Sequence, residues 1–386
     1  MKKILDEIIN PLKSMGFSKL HLHEPDIIRD DLKNLKICIK EKNVSASGDF
    51  VFKFEKEISK ITKSKYVVST NSGTSALHVA CILSDIQRND EVLLPAFTFV
   101  ASANAIIYCN AIPHFVDIEK KYFGIDFKLL RDYLKKISII RNKKTFNKKT
   151  KRQIKAIMAV HPLGYPLDCN ELKKIASEFN LAIIEDAADS LGSFFNKKHT
   201  GTFGRIGVLS FNGNKILTTG AGGAILTNIK KVALKARKLV NTSKISHKYK
   251  FIHDEVGFNY RLPNINAALG LSQIKRFNQT LKKKRKILNF YNRFYKNNNF
   301  FDLVKENKTR TFNYWLQTII IKEKYKNQVN QILKGLIKKR IYARQGWELM
   351  SDLKHLKSYP KMSLTNARNI QPRIINLPSS SFILNK

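Results

Sequence analysis

Three short stretches of this chain carry residue types that could do chemistry, each placed where an apolar run gives way to a turn. The first, Thr70-Asn71-Ser72-Gly73-Thr74-Ser75, follows the strand-like Tyr66–Ser69 and runs directly into a helical stretch, Ser75–Leu83. A small, Gly-containing turn that opens a helix offers backbone N–H groups and the positive end of the helix dipole to a phosphate. It is neither a Walker loop nor a GxGxxG turn, and on its own it serves equally well as a plain capped turn. The second, Glu185-Asp186-Ala187-Ala188-Asp189, follows Leu181–Ile184. An Asp there either caps a helix or faces a cationic nitrogen of a cofactor. The third, Asn212-Gly213-Asn214-Lys215, lies between the run Ile206–Phe211 and the small residues Thr218–Gly223. Small neighbours let a flat ligand approach the backbone closely, and a lysine confined there is suited to capturing an aldehyde. Asp186 comes 112 residues after Thr74, and Lys215 comes 29 residues after Asp186. An anion cradle, an acid and an amine are the three partners that pyridoxal phosphate requires.

The elements that must position these residues alternate. The apolar runs Tyr66–Ser69, Glu91–Leu94, Ile112–Ile118, Ile154–Val160, Leu181–Ile184, Ile206–Phe211 and Gly223–Thr227 read as strands. Amphipathic stretches between several of them read as helices, including Val100–Tyr108, Phe127–Ile137 and Glu171–Phe179. This alternation predicts an α/β unit with a mostly parallel sheet, whose ligands bind beyond the carboxyl ends of the strands. After about residue 242 the pattern becomes helical, followed by a strand over Trp315–Ile321, which predicts a smaller C-terminal α+β domain. The expected division is an N-terminal segment over 1–21, a large domain over 22–242 and a small domain over 243–386.

Composition narrows the function classes. Among 386 residues, 70 Lys+Arg against 30 Asp+Glu give a net charge of +40, yet hydrophobic content is 43%. Such content with regular periodicity excludes disorder. The lysines are scattered along the chain among abundant Asn and Ile, which argues against a dedicated nucleic-acid surface. Two basic runs stand out: 141–155 is expected to be a solvated loop, and 282–286 (KKKRK) the exposed continuation of a helix. No apolar run is long enough to cross a membrane. The acids Asp6 and Glu7 spoil the first apolar stretch as a signal peptide. Cys38, Cys81, Cys109 and Cys169 have no zinc or disulfide spacing, so a reducing cytoplasm is expected. His21 and His23 lack further metal ligands, and no Ser-His-Asp arrangement has a supporting context.

The chain resembles the DegT/StrS-type sugar aminotransferases. The resemblance is carried by NSGTSALHVA, DEVLLPAFTFVASANAI, HFVDI, VHPLGYPLD, IIEDAADSLGS, GVLSFNGNKILTTGAGGAILTN and GFNYRLPNINAALG, in that order, with INLPSS near the end. The variants LHEP, SFNGNK and RIINLPSS are most similar to the branch that aminates 4-keto nucleotide sugars for bacillosamine- or legionaminic-acid-type glycans.

The resemblance implies a pyridoxal-phosphate transferase of fold type I and a reaction. Glutamate, or another amino acid, would give its amino group to the 4-keto group of a nucleotide-linked 6-deoxy hexose. By the same resemblance, Lys215 would hold the cofactor and shuttle the proton, and Asp186 would keep the ring nitrogen protonated. Gly73, Thr74 and Ser210 would cradle the phosphate, and Phe99 would stack on the ring. Asp189 stands where relatives carry Gln, His or Glu near the ring. His161, in VHPLG, either shapes the site or packs in the core. Asn259 of GFNYR would reach the phosphate of a neighbouring subunit, which implies a homodimer. Ala221 replaces a common Glu, and the segment after Arg344 lacks a common proline. The retained Lys215 argues against relatives that dehydrate sugars. The alternatives are a different pyridoxal-phosphate reaction, on this or a non-nucleotide sugar, or a basic scaffold that binds nucleic acid.

Overall fold

A computed structural model describes residues 1–16 and 18–384. Eleven strands up to residue 227 organise the first part of the chain: β1 (Tyr66–Thr70), β2 (Glu91–Pro95), β3 (Ile112–Val116), β4 (Ser138–Arg141), β5 (Lys144–Asn147), β6 (Gln153–Val160), β7 (Ala182–Asp186), β8 (Phe194–Phe195), β9 (Lys198–His199), β10 (Ile206–Ser210) and β11 (Gly223–Thr227). All but β8 and β9 form one sheet, whose path runs β1-β11-β10-β7-β6-β2-β3 with the β4–β5 hairpin attached to β6. The pairs β10–β7, β7–β6, β6–β2 and β2–β3 are parallel, while β11 is antiparallel to both β10 and β1. Because β11 is the reversed strand, β1 points the same way as the parallel set. The carboxyl ends of β1, β10, β7, β6 and β2 therefore meet at one edge.

The strands β2, β10 and β11 are buried throughout, as a sheet covered by helices on its faces requires. The α/β reading with a mostly parallel sheet is what the chain adopts. The strand expected over Leu181–Ile184 runs on to Asp186, so that acid is itself the last residue of β7. A second sheet combines Phe301–Leu303, Gln317–Ile321, Arg344–Gln345 and Ile374–Leu377. It packs in a separate apolar cluster with the helix Phe277–Tyr295 and with Ile4, Ile8 and Leu12 of the helix Lys2–Ser14. No helix of the described residues is long and apolar enough to cross a membrane.

Both basic runs depart from expectation. Residues 144–147 are a strand and not loop, because alternate residues Thr145 and Asn147 are buried while Lys144 stays in solvent. Asn147 Nδ2, Thr150 Oγ1 and His114 Nδ1 surround the buried carboxylate of Glu91 at 3.0, 2.6 and 2.9 Å. Burial opposes that charge, but these partners hold the carboxyl below its ordinary range. In the run 282–286, Lys284 is fully buried. Facing residues from the distant segments 315 and 379 supply its acceptors, so a spacing argument confined to one helix could not place it.

The loop after β7 is fastened by the β8–β9 turn. His199 Nδ1 donates to the Thr200 carbonyl and its Nε2 accepts from Gly192 N at 2.9 Å, which fixes the neutral tautomer. Burial lowers its pKa from 6.5 to about 4, opposed by the Thr200 carbonyl and the Glu185 charge. The unfolded chain therefore takes up this proton first, and His199 costs stability as pH falls through that interval. The midpoint of urea unfolding is expected to fall between pH 6.5 and about 4, and His199→Gln should flatten part of that slope. Equal slopes for the two proteins would contradict the assignment.

Candidate functional site

At the shared carboxyl edge lies a cavity of about 290 Å³. Its wall includes Ser72, Gly73 and Thr74 after β1, Thr98 and Phe99 after β2, and His161 after β6. Asp186 and Asp189 come from the end of β7, and Ser210, Asn214 and Lys215 from the end of β10. Of the eight residues expected at the site, Gly73, Thr74, Phe99, Asp186, Asp189, Ser210 and Lys215 line this one cavity. Asn259 does not; it is exposed, and its backbone bridges Asn241.

The turn after β1 works by close approach. Ser72 caps the helix Gly73–Leu83, its Oγ accepting from Ser75 N at 3.0 Å. A Cβ at Gly73 would come within 2.9 Å of Ser210 Cβ, and one at Gly223 within 2.5 Å of the Ser72 carbonyl. The glycines thus let β1, β10 and β11 crowd together, which brings the Ser210 hydroxyl up to the helix N-terminus.

Asp186 sits at the base of the cavity, 5% exposed. Its Oδ2 accepts from Ser102 Oγ at 2.7 Å, and Ser102 in turn pairs with Thr98 Oγ1 at 2.8 Å. Oδ1 accepts from Ala188 N at 3.2 Å. Burial pushes this carboxyl above its ordinary value and the charge of Asp189 adds to the effect, while Ser102, Ala188 and Lys215 only partly offset it. A cation facing Asp186 would relieve that cost.

Lys215 emerges from a tight turn in which its N–H bonds to the Asn212 carbonyl at 2.9 Å. Its Nζ pairs with Asp189 Oδ1, and Asp189 Oδ2 accepts from Leu163 N at 3.2 Å. The same Nζ lies 4.2 Å from the centroid of the Trp315 ring. Phe99 is 56% exposed on the opposite flank, its ring 6.3 Å from that of Trp347.

Sequence reasoning missed Ser102, Trp315 and Trp347. Ser102 lies inside an apolar helix, where only the fold aims it at Asp186. Trp315 was expected to begin a strand, but pairing starts at Gln317, which leaves the indole free to turn toward Asn214. His161 does shape the cavity wall. Its Nδ1 accepts from Leu167 N at 3.2 Å, so Nε2 bears the proton donated to Glu185 at 3.1 Å. Glu185 also accepts from the N–H groups of Gly201, Phe203 and Gly204 at 2.8, 2.6 and 2.6 Å. Burial works against this carboxylate, yet His161 and these amides hold it below the usual range. His161, Cys169 and Glu185 bring potential ligand atoms within 4.8 Å of one another, but these hydrogen bonds already commit the His and Glu atoms.

Glu185→Gln would set an amide N–H₂ against these donors. It is expected to cost about 3 kcal/mol in urea unfolding, and an unchanged midpoint would contradict the geometry.

Comparison with known proteins agrees with this geometry. The model of the DegT/DnrJ/EryC1/StrS aminotransferase family matches residues 25–385. The chain is 33% identical over 361 residues to a GDP-perosamine synthase of Vibrio cholerae, covering 93% of each. It is 30% identical over 330 residues to EpsN of Bacillus subtilis, provisionally named a pyridoxal phosphate-dependent aminotransferase, covering 86% of this chain and 82% of EpsN. The fold is similar to that of PseC from Helicobacter pylori, an aminotransferase involved in pseudoaminic acid biosynthesis. That match has a TM-score of 0.84, 24% identity and 93% coverage of both chains.

Proposed function

We propose that this chain, which belongs to the DegT/DnrJ/EryC1/StrS aminotransferase family, transfers an amino group from an amino acid, glutamate by expectation, to a nucleotide-linked 4-keto-6-deoxy hexose destined for a surface glycan. Its cofactor in this reading is pyridoxal 5'-phosphate. The observation that carries the reading is the convergence of Gly73, Thr74, Asp186, Ser210 and Lys215 on one cavity from three strand ends.

The residues fit that cofactor by a test internal to the structure. Asp186 is a buried carboxylate short of positive charge, and a protonated ring nitrogen would supply it. The helix N-terminus at Gly73 and Thr74, with the Ser210 hydroxyl beside it, suits a phosphate. Lys215 supplies the amine, and Phe99 offers an exposed aromatic face to a flat ring. When bound, pyridoxal phosphate supplies an aldehyde that accepts and passes on an amino group, and a ring that withdraws electrons.

The chain's own groups do the remaining work. Burial raises the Asp186 carboxyl above its ordinary value, so its anion gains from a positive group facing it and favours the protonated form of a base placed there. Ser102 and Ala188 N hold that carboxylate in one orientation. Lys215 Nζ takes the proton from the donor's α-carbon and later delivers one to C4 of the sugar, as general base and then general acid. Asp189 holds the ammonium form of Lys215 between these transfers. Trp315 and Trp347 cover the cavity with apolar surface and limit water at the reacting atoms.

We read the working form as a homodimer in which Asn259 reaches the neighbouring subunit's phosphate. Support comes from the exposure of Asn259 and of Tyr249, Phe251 and Val256 close by, at 79%, 83% and 80%.

Glutamate added to the loaded enzyme should release 2-oxoglutarate. A screen of GDP-, UDP- and dTDP-linked 4-keto-6-deoxy sugars should then yield a 4-amino sugar from at least one. Lys215→Ala should lower turnover at least about a thousandfold, and Asp186→Asn about a hundredfold or more. Normal turnover by Lys215→Ala, or ketone products formed without an amino donor, would overturn the reading.

A further inference from the structure

Lys284 is a fully buried lysine, and among the described residues it has no carboxylate partner. Its Nζ instead meets three oxygens: the Trp315 carbonyl at 2.8 Å, the Ser379 carbonyl, and Ser379 Oγ at 2.8 Å. Ser379 Oγ also donates to the Trp315 carbonyl at 2.5 Å. With the hydroxyl proton spent on that carbonyl, each contact of Lys284 requires it to donate, and three donors are what an ammonium has. Two backbone carbonyls and a hydroxyl thus form a cage that suits the ammonium form. Burial works against that charge and pushes the amine well below its ordinary pKa, so the cage is costly and must be held together by its hydrogen bonds.

The cage closes on Trp315, which is gripped at three further points. Trp315 N donates to Asn313 Oδ1 at 2.9 Å, and Asn313 Nδ2 donates to the carbonyls of Asp189 and Leu191 at 2.7 and 3.0 Å. Trp315 Nε1 donates to the Asn214 carbonyl at 2.6 Å, one residue before Lys215. The indole face lies over Lys215 Nζ. The second titratable group packed here is His23. Its ring meets the indole edge-on at 6.5 Å. A continuous path of bonded contacts therefore runs from Lys284 through Trp315 to the backbone and amine of Lys215.

We propose that Lys284 is a positioning residue for the reactive amine. Through the Trp315 carbonyl it fixes the indole that covers Lys215 Nζ and the hydrogen bond that holds Asn214. The inference rests on the proposed role of Lys215, but it concerns the geometry of the free chain. The two can therefore fail separately.

The chain holds two tryptophans, so a Trp347→Phe background, excited at the red edge where tyrosine does not absorb, leaves Trp315 as the sole tryptophan emitter. In that background and without cofactor, Lys284→Met is expected to raise acrylamide quenching of Trp315. It should also raise the rate at which an amine-acylating reagent labels Lys215, read by peptide mass spectrometry, each about threefold. Lys284→Arg, which restores a caged cation, should bring both readouts most of the way back. In the loaded enzyme with Trp347 intact, Lys284→Met should lower kcat about tenfold with KM little changed, because the reacting amine is displaced and not the substrate.

If Lys284→Met does not fold, Ser379→Ala removes only the bridging hydroxyl and should shift quenching and labelling in the same direction by a smaller factor. Unchanged quenching and labelling in the folded variants would overturn the proposal, even if thermal stability fell, because Lys284 would then be a packing residue only. These measurements involve neither cofactor nor sugar, so that result would leave the proposed reaction standing.

Discussion

A carboxylate buried at the end of a central strand carries a desolvation cost that hydrogen-bond donors or a facing cation must offset. Asp186 is in that position, with a serine hydroxyl and one backbone N–H as its hydrogen-bond donors and burial pressing against its charge. The fold delivers this group to the middle of the sheet's carboxyl edge and leaves a cavity above it. Local stability does not account for the arrangement, since an apolar side chain there would avoid the desolvation cost altogether. The nearby amine is Lys215, which pairs with Asp189 instead. One acid thus holds the amine, and in the proposed reading the other is left for a cation carried by the ligand.

The rest of the large sheet follows from holding those groups apart and in register. The reversal of β11 lets β1 and β10 lie on either side of it with their carboxyl ends together, and the glycines at 73 and 223 permit the close packing this demands. Glu185, one residue before Asp186, points to the other face of the strand. There it collects His161 and three backbone amides, so that a second buried carboxylate is fully satisfied. Adjacent acids on one strand therefore have opposite roles, set by the two-residue period of side-chain direction. One fastens the loop behind the site, and the other is left with its charge to be met.

Much of this was legible in the chain. The motifs around Gly73, Asp186 and Lys215 are local: each is a strand end followed by small residues, and the parallel sheet places strand ends together without further information. What was not legible depends on contacts between distant segments. Ser102 is an ordinary polar residue in a helix until Asp186 is brought to it, 84 residues away. Lys284 looks like one more solvated lysine in KKKRK until Trp315 and Ser379 close over it. The strand Lys144–Asn147 was hidden because its buried face is made of Thr and Asn rather than apolar residues; Asn147 is met by the Glu91 carboxylate and Thr145 by the Phe179 carbonyl, both far away in sequence.

The account turns on one amine being the point of attachment in this cavity. The most direct measurement is to load the chain with pyridoxal 5'-phosphate, reduce it with borohydride to fix the cofactor to the amine that holds it, and map the modified peptide by mass spectrometry. The account predicts a single stoichiometric adduct on Lys215. An adduct spread over surface lysines, or confined to a lysine outside the cavity, would contradict it.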